Sequence, residues 1–345
     1  MQEINYQEPK EKSSKTWVII LLILIILAIA FVLIWYFLFK NKSATPTATP
    51  SNEILQKNSV EKWVRSPNIV IKITTSTDTH KLKDGIYRMY LLSMDKGIVY
   101  SDSSNAESFD DFQSTGITVE RNKMISNPAV IELKDNSYIM IYEERPISGN
   151  NPETKRPPGP ETQRNLMVAL SSDGKKFTQQ GIAIDSSKED NYFASVPDLV
   201  LLPDGKIRMY YVSGGEAIGS AISSDGITWA REEGYRLEEK AVDPDVLYKI
   251  IDGKQKWVMY YSVLTGPGNK IYKSVSANGL KWETGQEALF PYDKNSTIVD
   301  PDVFEIDNNN YRMFFGEARG TETQTEAPVE FDLYSANSDR DIFDY

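Results

Sequence analysis

The sequence lacks the residues on which several common kinds of site depend. Its 345 residues include no cysteine and one histidine, His80. Without cysteine there is no disulfide framework, no thiolate metal ligand and no cysteine nucleophile. With so little histidine a zinc site is also excluded, and the HExxH, P-loop and GxGxxG patterns have no usable context in the chain. Candidate chemistry therefore has to be sought among other side chains.

The chain also has little positive charge. It carries 38 lysines and arginines against 49 acidic residues, a formal net charge of −11. A protein that binds nucleic acid needs a basic surface to neutralise phosphates. Nucleic acid and other polyanions are therefore excluded as partners.

One long apolar run interrupts this acidic sequence. Residues 17–39 carry no charge and, at 1.5 Å of rise per residue, would form a helix about 34 Å long, enough to cross a hydrocarbon core. The run is longer than the apolar part of a signal peptide. Three lysines precede it and two follow it closely, which favours a cytoplasmic N-terminus. We therefore predict a cytoplasmic tail (1–16), a transmembrane signal anchor (17–39) and a large extracytoplasmic part at the cell surface.

Residues 40–62 have the composition of a spacer. The segment NKSATPTATPSN (41–52) combines Pro, Thr, Ser and Ala without apolar periodicity, as extended linkers do. From Trp63 onward a helical pattern is almost absent. Short runs rich in Val, Ile, Tyr and Met alternate instead with Asp-Gly, Asn-Asn and Pro-Asp turns. Residues 63–345 are therefore predicted to form one all-β domain.

The strands of this domain repeat as one unit. Each copy has a strand, a tight turn and a second strand ending in aromatic residues, and most copies add a second half around an SSDG-like turn. The first halves are SPNIV (66–70) with GIYRMYL (85–91), NPAVIELKDNSYIMIY (127–142), VPDLVLLPDGKIRMYY (196–211), DPDVLYKIIDGKQKWVMYY (243–261) and DPDVFEIDNNNYRMFF (300–315). Five such units predict a five-bladed β-propeller. Because the last copy ends after its third strand, residues 53–63 are expected to supply its outer strand and close the ring.

The strand order sorts the candidate residues onto two faces. The starts of the inner strands and the loops after the second strands share one face, and the SSDG turns share the other. Asp198, Asp245 and Asp302 occupy matching inner-strand positions, where Asn68 and Ala129 stand in the first two copies. Loop residues expected on the same face are Glu143, Glu144, Arg145, Glu216, Glu317 and Arg319. A Ser-His-Asp arrangement is discounted, because His80 is expected in a turn on the opposite face.

The repeated aspartates have two interpretations. Each could bond backbone amides in its own turn, which is a structural role. Alternatively, carboxylates from several blades could meet on the axis and push one another's pKa values apart, as acid/base catalysis or cation binding requires. Calcium is the one metal that these residue types favour. In SSDGITW (223–229), by contrast, Ser and Asp are expected to cap a hairpin turn while Trp229 packs beneath the blade.

These motifs carry a family resemblance. The combination of VPDL or DPDV, RMYY or RMFF, and SSDGITW resembles the five-bladed propeller glycoside hydrolases, the arabinanase, β-xylosidase and β-fructosidase group. SSDGITW also resembles the Asp box of sialidases, with one residue fewer between Asp and Trp. The likeness covers 63–345, and it implies an Asp base, a second Asp that tunes or orients, and a Glu acid at the centre. The first blade, which carries an essential Asp in that group, has Asn68, so the match is incomplete.

The sequence therefore supports two hypotheses. In the first, a membrane-anchored propeller binds and hydrolyses a carbohydrate, with Asp245 or Asp302 as base or nucleophile and Asp198 as a further catalytic candidate. The acid would then be Glu216 or Glu144, and the substrate-binding residues would include Arg145, Arg319, Glu143, Glu317 and Asn68. In the second, the propeller binds a glycan or a protein at the cell surface without cleaving it, since Asn68 and Ala129 stand where acids are expected.

Overall fold

The structure is a computed structural model that describes residues 61–72, 74–147, 159–238, 240–264, 268–289, 296–307, 309–318 and 330–345. All of these residues belong to one unit, Asn58–Tyr345. No helix within these ranges is long and apolar enough to span a membrane. The predicted tail (1–16), the transmembrane helix (17–39) and the linker up to residue 60 lie outside the described residues.

Twenty strands of the described residues form five four-stranded antiparallel sheets, which are the predicted blades. Blade 1 contains β2 (Asp78–Lys81), β3 (Tyr87–Ser93), β4 (Gly97–Ser103) and β5 (Gln113–Ser114). Blade 2 contains β6 (Lys123–Glu132), β7 (Tyr138–Pro146), β8 (Asn165–Ser171) and β9 (Thr178–Ile184). Blade 3 contains β10 (Ala194–Leu201), β11 (Ile207–Ser213), β12 (Ala217–Ser223) and β13 (Ala230–Arg231). Blade 4 contains β14 (Ala241–Ile251), β15 (Lys254–Val263), β16 (Lys270–Ser276) and β17 (Gln286–Leu289). Blade 5 contains β18 (Thr297–Asp307), β19 (Asn310–Ala318), β20 (Phe331–Ser338) and, at its outer edge, β1 (Trp63–Arg65). Two short 3-10 turns, Pro160–Thr162 and Lys188–Asp190, lie between strands.

The blades close into a ring around their inner strands. The inner strands β2, β6, β10, β14 and β18 each contact the inner strands of both neighbouring blades. Five hydrophobic clusters of the described residues each fill one seam between two blades. In the seam between blades 2 and 3, for example, Ile139 and Ile141 pack against Ile207 and Met209. Each sheet therefore buries its apolar side chains against the neighbouring sheets, as the units of repeat architectures do.

An N-terminal strand closes the ring, as predicted, but it lies at Trp63–Arg65, at the end of the expected segment 53–63. β1 pairs antiparallel with β20, so that Trp63 faces Ser338. Just before this strand, the buried carboxylate of Glu61 forms an ion pair with Lys273 Nζ at 2.5 Å and accepts a hydrogen bond from the Tyr260 hydroxyl. Both of these partners lie in blade 4, while β1 lies in blade 5. The N-terminal segment thus joins two blades.

The SSDG turns have the predicted structural role and a further one between blades. In blade 2, Ser171 Oγ accepts the Gly174 N–H at 3.0 Å, and Asp173 Oδ1 accepts two backbone N–H groups that follow it. Blade 1 donates to the carbonyl groups of this turn. Arg88 Nη1 lies 3.1 Å from the Asp173 oxygen, and the Tyr90 hydroxyl lies 2.6 Å from the Gly174 oxygen. The Arg and Tyr of the RMY motif thereby hold one blade to the turn of the next.

Blade 1 differs from the prediction. The repeat alignment places SPNIV (66–70) at its inner strand, but the inner strand is β2, which begins at Asp78. Residues 66–72 continue from β1 and run beside β20, with the Ser66 N–H bonded to the Ser335 oxygen at 2.8 Å. Asn68 is exposed on this stretch. The chain first completes blade 5 with β1 and only then begins blade 1. SPNIV forms the connection between these two blades.

Candidate functional site

Each inner strand of blades 2 to 5 opens onto the axis through a bulge. The pairing of first and second strands shifts register there, at the residue before proline. That residue has a left-handed backbone, with φ of 50° at Asn127, 43° at Val196, 54° at Asp243 and 53° at Asp300. Proline is accommodated after this residue because it lacks an N–H, and the bulge already interrupts the hydrogen-bond ladder between the strands there. The motif therefore brings the residues on both sides of proline to the axis.

Side chains from all five blades line an axial cavity. The first tier consists of the bulge residues of blades 2 to 5 and one residue before β2 of blade 1; these are Asn127, Val196, Asp243, Asp300 and Ser76. The second tier contains Asp78, Ala129, Asp198 and Asp245. The cavity has a volume of about 30 Å³, which is room for about two water molecules. A sugar ring can therefore lie across the mouth of this cavity but not inside it.

Asp78 is the first-blade acid that the repeat alignment misses. It begins β2 and pairs with Tyr90, just as Asp198 pairs with Tyr210 in blade 3. His80 lies two residues further on and donates from Nε2 to Asp78 Oδ2 at 2.8 Å. His80 thus lies in a strand and bonds an aspartate that lines the cavity. The expectation that it lies in a turn on the opposite face of the propeller is wrong.

The aspartates also connect neighbouring blades. In each case a carboxylate oxygen accepts a hydrogen bond from a backbone N–H in the inner strand of the next blade. These four contacts, which we call the seam bonds, join Asp78 to Val130 (2.5 Å), Asp198 to Val246 (2.9 Å), Asp245 to Val303 (3.2 Å) and Asp302 to Thr79 (3.1 Å). The predicted structural role is therefore present, but the bonded amides belong to the next blade instead of the same turn. Ala129 leaves the seam between blades 2 and 3 without such a bond.

Burial and mutual repulsion give the cavity acids unusual proton affinities. Burial, followed by the charge of Asp78, raises the pKa of Asp198 to about 7. Burial, followed by the charges of Asp198 and Asp302, raises the pKa of Asp245 well above its usual range. Burial alone would lower the pKa of His80, but Asp78 outweighs it, and the pKa is raised to about 9. His80 is therefore an imidazolium at neutral pH.

Asp302 occupies the matching strand position without lining the cavity. Its Oδ2 accepts from the hydroxyls of Thr77 and Thr79, both at 2.7 Å, and its Oδ1 accepts the Thr79 N–H. The residue is 3% exposed, and burial raises its pKa to about 6. Because blade 1 uses both of its oxygens, we interpret Asp302 as a structural residue and no longer as a base.

Glu143 forms a buried cluster beside the cavity. Its Oε2 accepts from Asn127 Nδ2 at 3.2 Å and from the Ser195 hydroxyl. Its Oε1 lies 3.4 Å from Arg145 Nε and 3.3 Å from Arg164 Nη1. Asn127 also lines the cavity, so the cluster borders it. Protein groups bind both oxygens of the Glu143 carboxylate. Glu143 and Ser195 are buried, whereas Asn127 and the two arginines are partly exposed.

The remaining predicted site residues that the structure describes do not line the cavity. Glu144 pairs with Lys123 Nζ at 2.9 Å, and Glu317 forms an ion pair with an arginine of β1. Glu216 is exposed in the loop before β12. Arg319 lies outside the described residues. The acid that the family resemblance requires is therefore better sought among the aspartates of the second tier.

A metal site was expected at most for calcium. Among the described residues, no group of three or more His, Asp and Glu side chains is arranged to hold a metal ion. Seam bonds take one oxygen of each second-tier aspartate. Calcium at the aspartates stays a prediction.

Comparison with solved structures places the fold among known propellers. The chain is similar to the endo-arabinase of Bacteroides thetaiotaomicron, with a TM-score of 0.54 and 13% identity over 77% of this chain and 96% of that one. It is similar to the catalytic domain of an α-L-arabinofuranosidase from Coprinopsis cinerea, with a TM-score of 0.57 and 10% identity over 81% and 98% of the two chains. It is also similar to an exo-1,5-α-L-arabinanase from a bovine ruminal metagenome, with a TM-score of 0.55 and 8% identity over 79% and 94%.

At these identities the similarity shows the fold alone, and it confirms the five-bladed propeller that the motif resemblance implies. No protein-family model matches the chain. No curated protein matches it by sequence.

Proposed function

We propose that this chain is a carbohydrate-binding propeller of the glycoside hydrolase kind, with its acids at the axial cavity. The observation behind the proposal is that Asp78, Asp198 and Asp245, from three blades, meet in one cavity in unequal surroundings. Carboxyl groups whose environments push their proton affinities apart are typical of acid/base sites. The arabinanases and the arabinofuranosidase that share the fold support carbohydrate as the ligand class.

Asp78 is the base in this proposal. Its Oδ2 receives the Val130 N–H and faces the His80 imidazolium, and such donors stabilise a carboxylate. As a base it would remove a proton from the water that attacks the sugar.

Asp245 is the acid in this proposal, because burial and the charges of Asp198 and Asp302 raise its pKa well above the usual range and so favour its protonated form. Asp198 couples the charge of Asp78 to that of Asp245. Asp78 is the strongest charge partner of Asp198, and Asp198 is the strongest charge partner of Asp245. Asp198 therefore tunes the proton affinity of the acid.

Binding without cleavage is the second candidate. It is favoured by the small volume of the cavity, about 30 Å³, and by the seam bonds that occupy one oxygen of each acid. A general acid has to come within hydrogen-bonding reach of the glycosidic oxygen. If the carboxyl groups inside the cavity do not reach the glycosidic oxygen, the same face would bind a glycan without cleaving it.

Reducing-sugar release and oligosaccharide binding together test these candidates. We expect the full-length protein to release sugar from arabinan, xylan or galactan, and Asp78→Asn to lower the rate at least about 100-fold. The affinity of that variant for the matching oligosaccharide should stay within about threefold, since it removes a proton acceptor and keeps the shape of the site. Binding without release in the wild type would select the second candidate. Neither binding nor release with any of the three glycans would contradict both.

A further inference from the structure

The ring of inner-strand aspartates around the axial cavity is incomplete at blade 2. Four blades place an aspartate at the inner-strand position, and blade 2 places Ala129 there. Beside this position Asn127 lines the cavity and also donates to Glu143. The break therefore opens towards the buried Glu143 cluster and its two arginines.

Two guanidinium groups share one carboxylate oxygen in this cluster. Arg145 Nε and Arg164 Nη1 lie 3.4 and 3.3 Å from the same Glu143 Oε1. Burial lowers the pKa of Arg164, Glu143 opposes the change, and the nearby Arg145 charge adds to it. Two positive charges thus stand against one negative charge, and they repel each other. A second anion between the guanidinium groups would relieve this repulsion.

The two arginines are presented to solvent while their acid is not. The side chains of Arg145 and Arg164 are 42% and 31% exposed, and that of Glu143 is 1% exposed. Arg145 Nε is buried and has no hydrogen-bond partner among the described residues, so it is out of reach of a ligand. Arg164 rests on the ring of Phe193, with its Cζ 4.3 Å from the ring centroid. Both guanidinium groups are thereby held beside the buried acid, and a ligand would meet their terminal nitrogens.

We propose that Arg145 and Arg164 bind the carboxylate of an acidic sugar, so that the glycan held across the axial cavity is a uronate-bearing one. This assignment rests on the proposed function, because it places the uronate next to the proposed carbohydrate site. Planar guanidinium groups match carboxylates through paired hydrogen bonds. A carboxylate that arrives on this side of the cavity meets Ala129 where the other blades present an acid.

One carboxylate per site is expected, and not a polyanion. The chain carries a net charge of −11, so a ligand with many negative charges is repelled over the surface as a whole. A ligand with a single carboxylate gains the contact with the two arginines and is repelled much less by the negative charge of the chain.

Calorimetric titration of the full-length protein tests this site. The probe is a xylotriose that carries one glucuronate, compared with the same oligosaccharide after reduction of its carboxyl group to an alcohol. We expect the acidic form to bind at least about 10-fold more tightly, as charged hydrogen bonds allow. Arg145→Gln should weaken binding of the acidic form until the two forms bind about equally. Arg121→Gln is the matched control, since it removes one exposed positive charge from the loop before β6 and should keep the preference.

Arg145→Lys covers the case in which Arg145→Gln does not fold. It keeps the positive charge that balances Glu143 but not the guanidinium fork, so it should fold and lose most of the preference.

Three results would overturn the assignment. Equal affinity of the wild type for the two forms would do so and leave the proposed function standing, because a neutral glycan would still bind. An equal loss of preference in Arg121→Gln and Arg145→Gln would do so as well, since the preference would then come from overall charge. Binding of neither form also overturns it, whereas the proposed function is judged on arabinan, xylan and galactan.

Discussion

Asp245 and Asp302 stand at the same position of neighbouring inner strands, yet their carboxylates meet different groups. Asp302 is held by two threonine hydroxyls and an N–H of blade 1. Asp245 makes a seam bond to Val303 and lines the cavity among other acids. At the residue scale, the surroundings and not the motif decide which aspartate is available for chemistry.

The shifted acids predict that stability falls as pH rises from about 5 to about 9. The pKa of Asp198 is raised to about 7 and that of Asp302 to about 6. Between the unfolded value near 4 and these values, the folded state binds more protons than the unfolded state, so the free energy of unfolding decreases with pH. The pKa of His80 is raised to about 9, and its contribution is complete below about 6.5 and is lost as pH rises through 9.

Thermal unfolding at pH 5.5 and pH 8.5 checks this prediction. We expect the Tm to be roughly 5 °C or more lower at the higher pH. Asp198→Asn removes one of the groups that take up a proton on folding, so it should flatten the dependence. A Tm that rises between these two pH values would contradict the assigned directions.

At the element scale, the seams carry the stability of the ring. Besides the seam bonds, second-strand cations of four blades donate to backbone carbonyls of the next blade. These contacts join Arg88 to Asp173 (3.1 Å), Arg208 to Asn278 (3.2 Å), Lys256 to Phe343 (2.6 Å) and Arg312 to Ala106 (2.6 Å). Among the described residues, the second strand of blade 2 makes no such contact. The seam between blades 2 and 3 has instead its apolar cluster and the contacts of Ser195 with Asn127 and Glu143.

β1 is three residues long, but its removal should be costly. A chain that begins at residue 66 loses this strand and leaves Lys273 buried without Glu61. An unpaired buried charge costs about 3–5 kcal/mol. We expect denaturant unfolding to show a loss of at least that size against a chain that begins at residue 50. Glu61→Gln separates the ion pair from the strand and should show only part of the loss. Equal stability of the two chain lengths would show that β1 does not close the ring.

Blades 2 to 5 could be predicted because one local motif recurs in each of them. Blade 1 could have been predicted from spacing, since Asp78 lies twelve residues before its partner Tyr90, as Asp198 lies twelve before Tyr210. SPNIV resembles the motif in sequence, but it lies too many residues before GIYRMYL to be the first strand of that pair. His80 was missed because its Thr/Ser/Asp-rich surroundings are typical of a turn. The contacts across the seams join residues far apart in the chain, and no local pattern encodes them.

At the scale of the whole molecule, we propose that the propeller is tethered outside the cell by the helix predicted over residues 17–39. Residues 40–62 could span at most roughly 75 Å at full extension, so a ligand would have to lie close to the same membrane. The protein should stay in the membrane fraction after an alkaline carbonate wash. Protease added to intact cells should cleave its propeller domain, and deletion of residues 1–39 should release it. Full extraction of the wild type by carbonate would contradict the anchor.

Whether the second-tier aspartates do chemistry at the axial face is tested by a pair of matched variants. Sugar release by Asp245→Asn is measured against Asp302→Asn, which changes the same residue type at the same strand position outside the cavity. We expect Asp245→Asn to lose at least about 100-fold in rate and Asp302→Asn to keep its rate within about threefold below its own Tm. Equal loss in both variants, or full activity in Asp245→Asn, would contradict the proposed role of these aspartates.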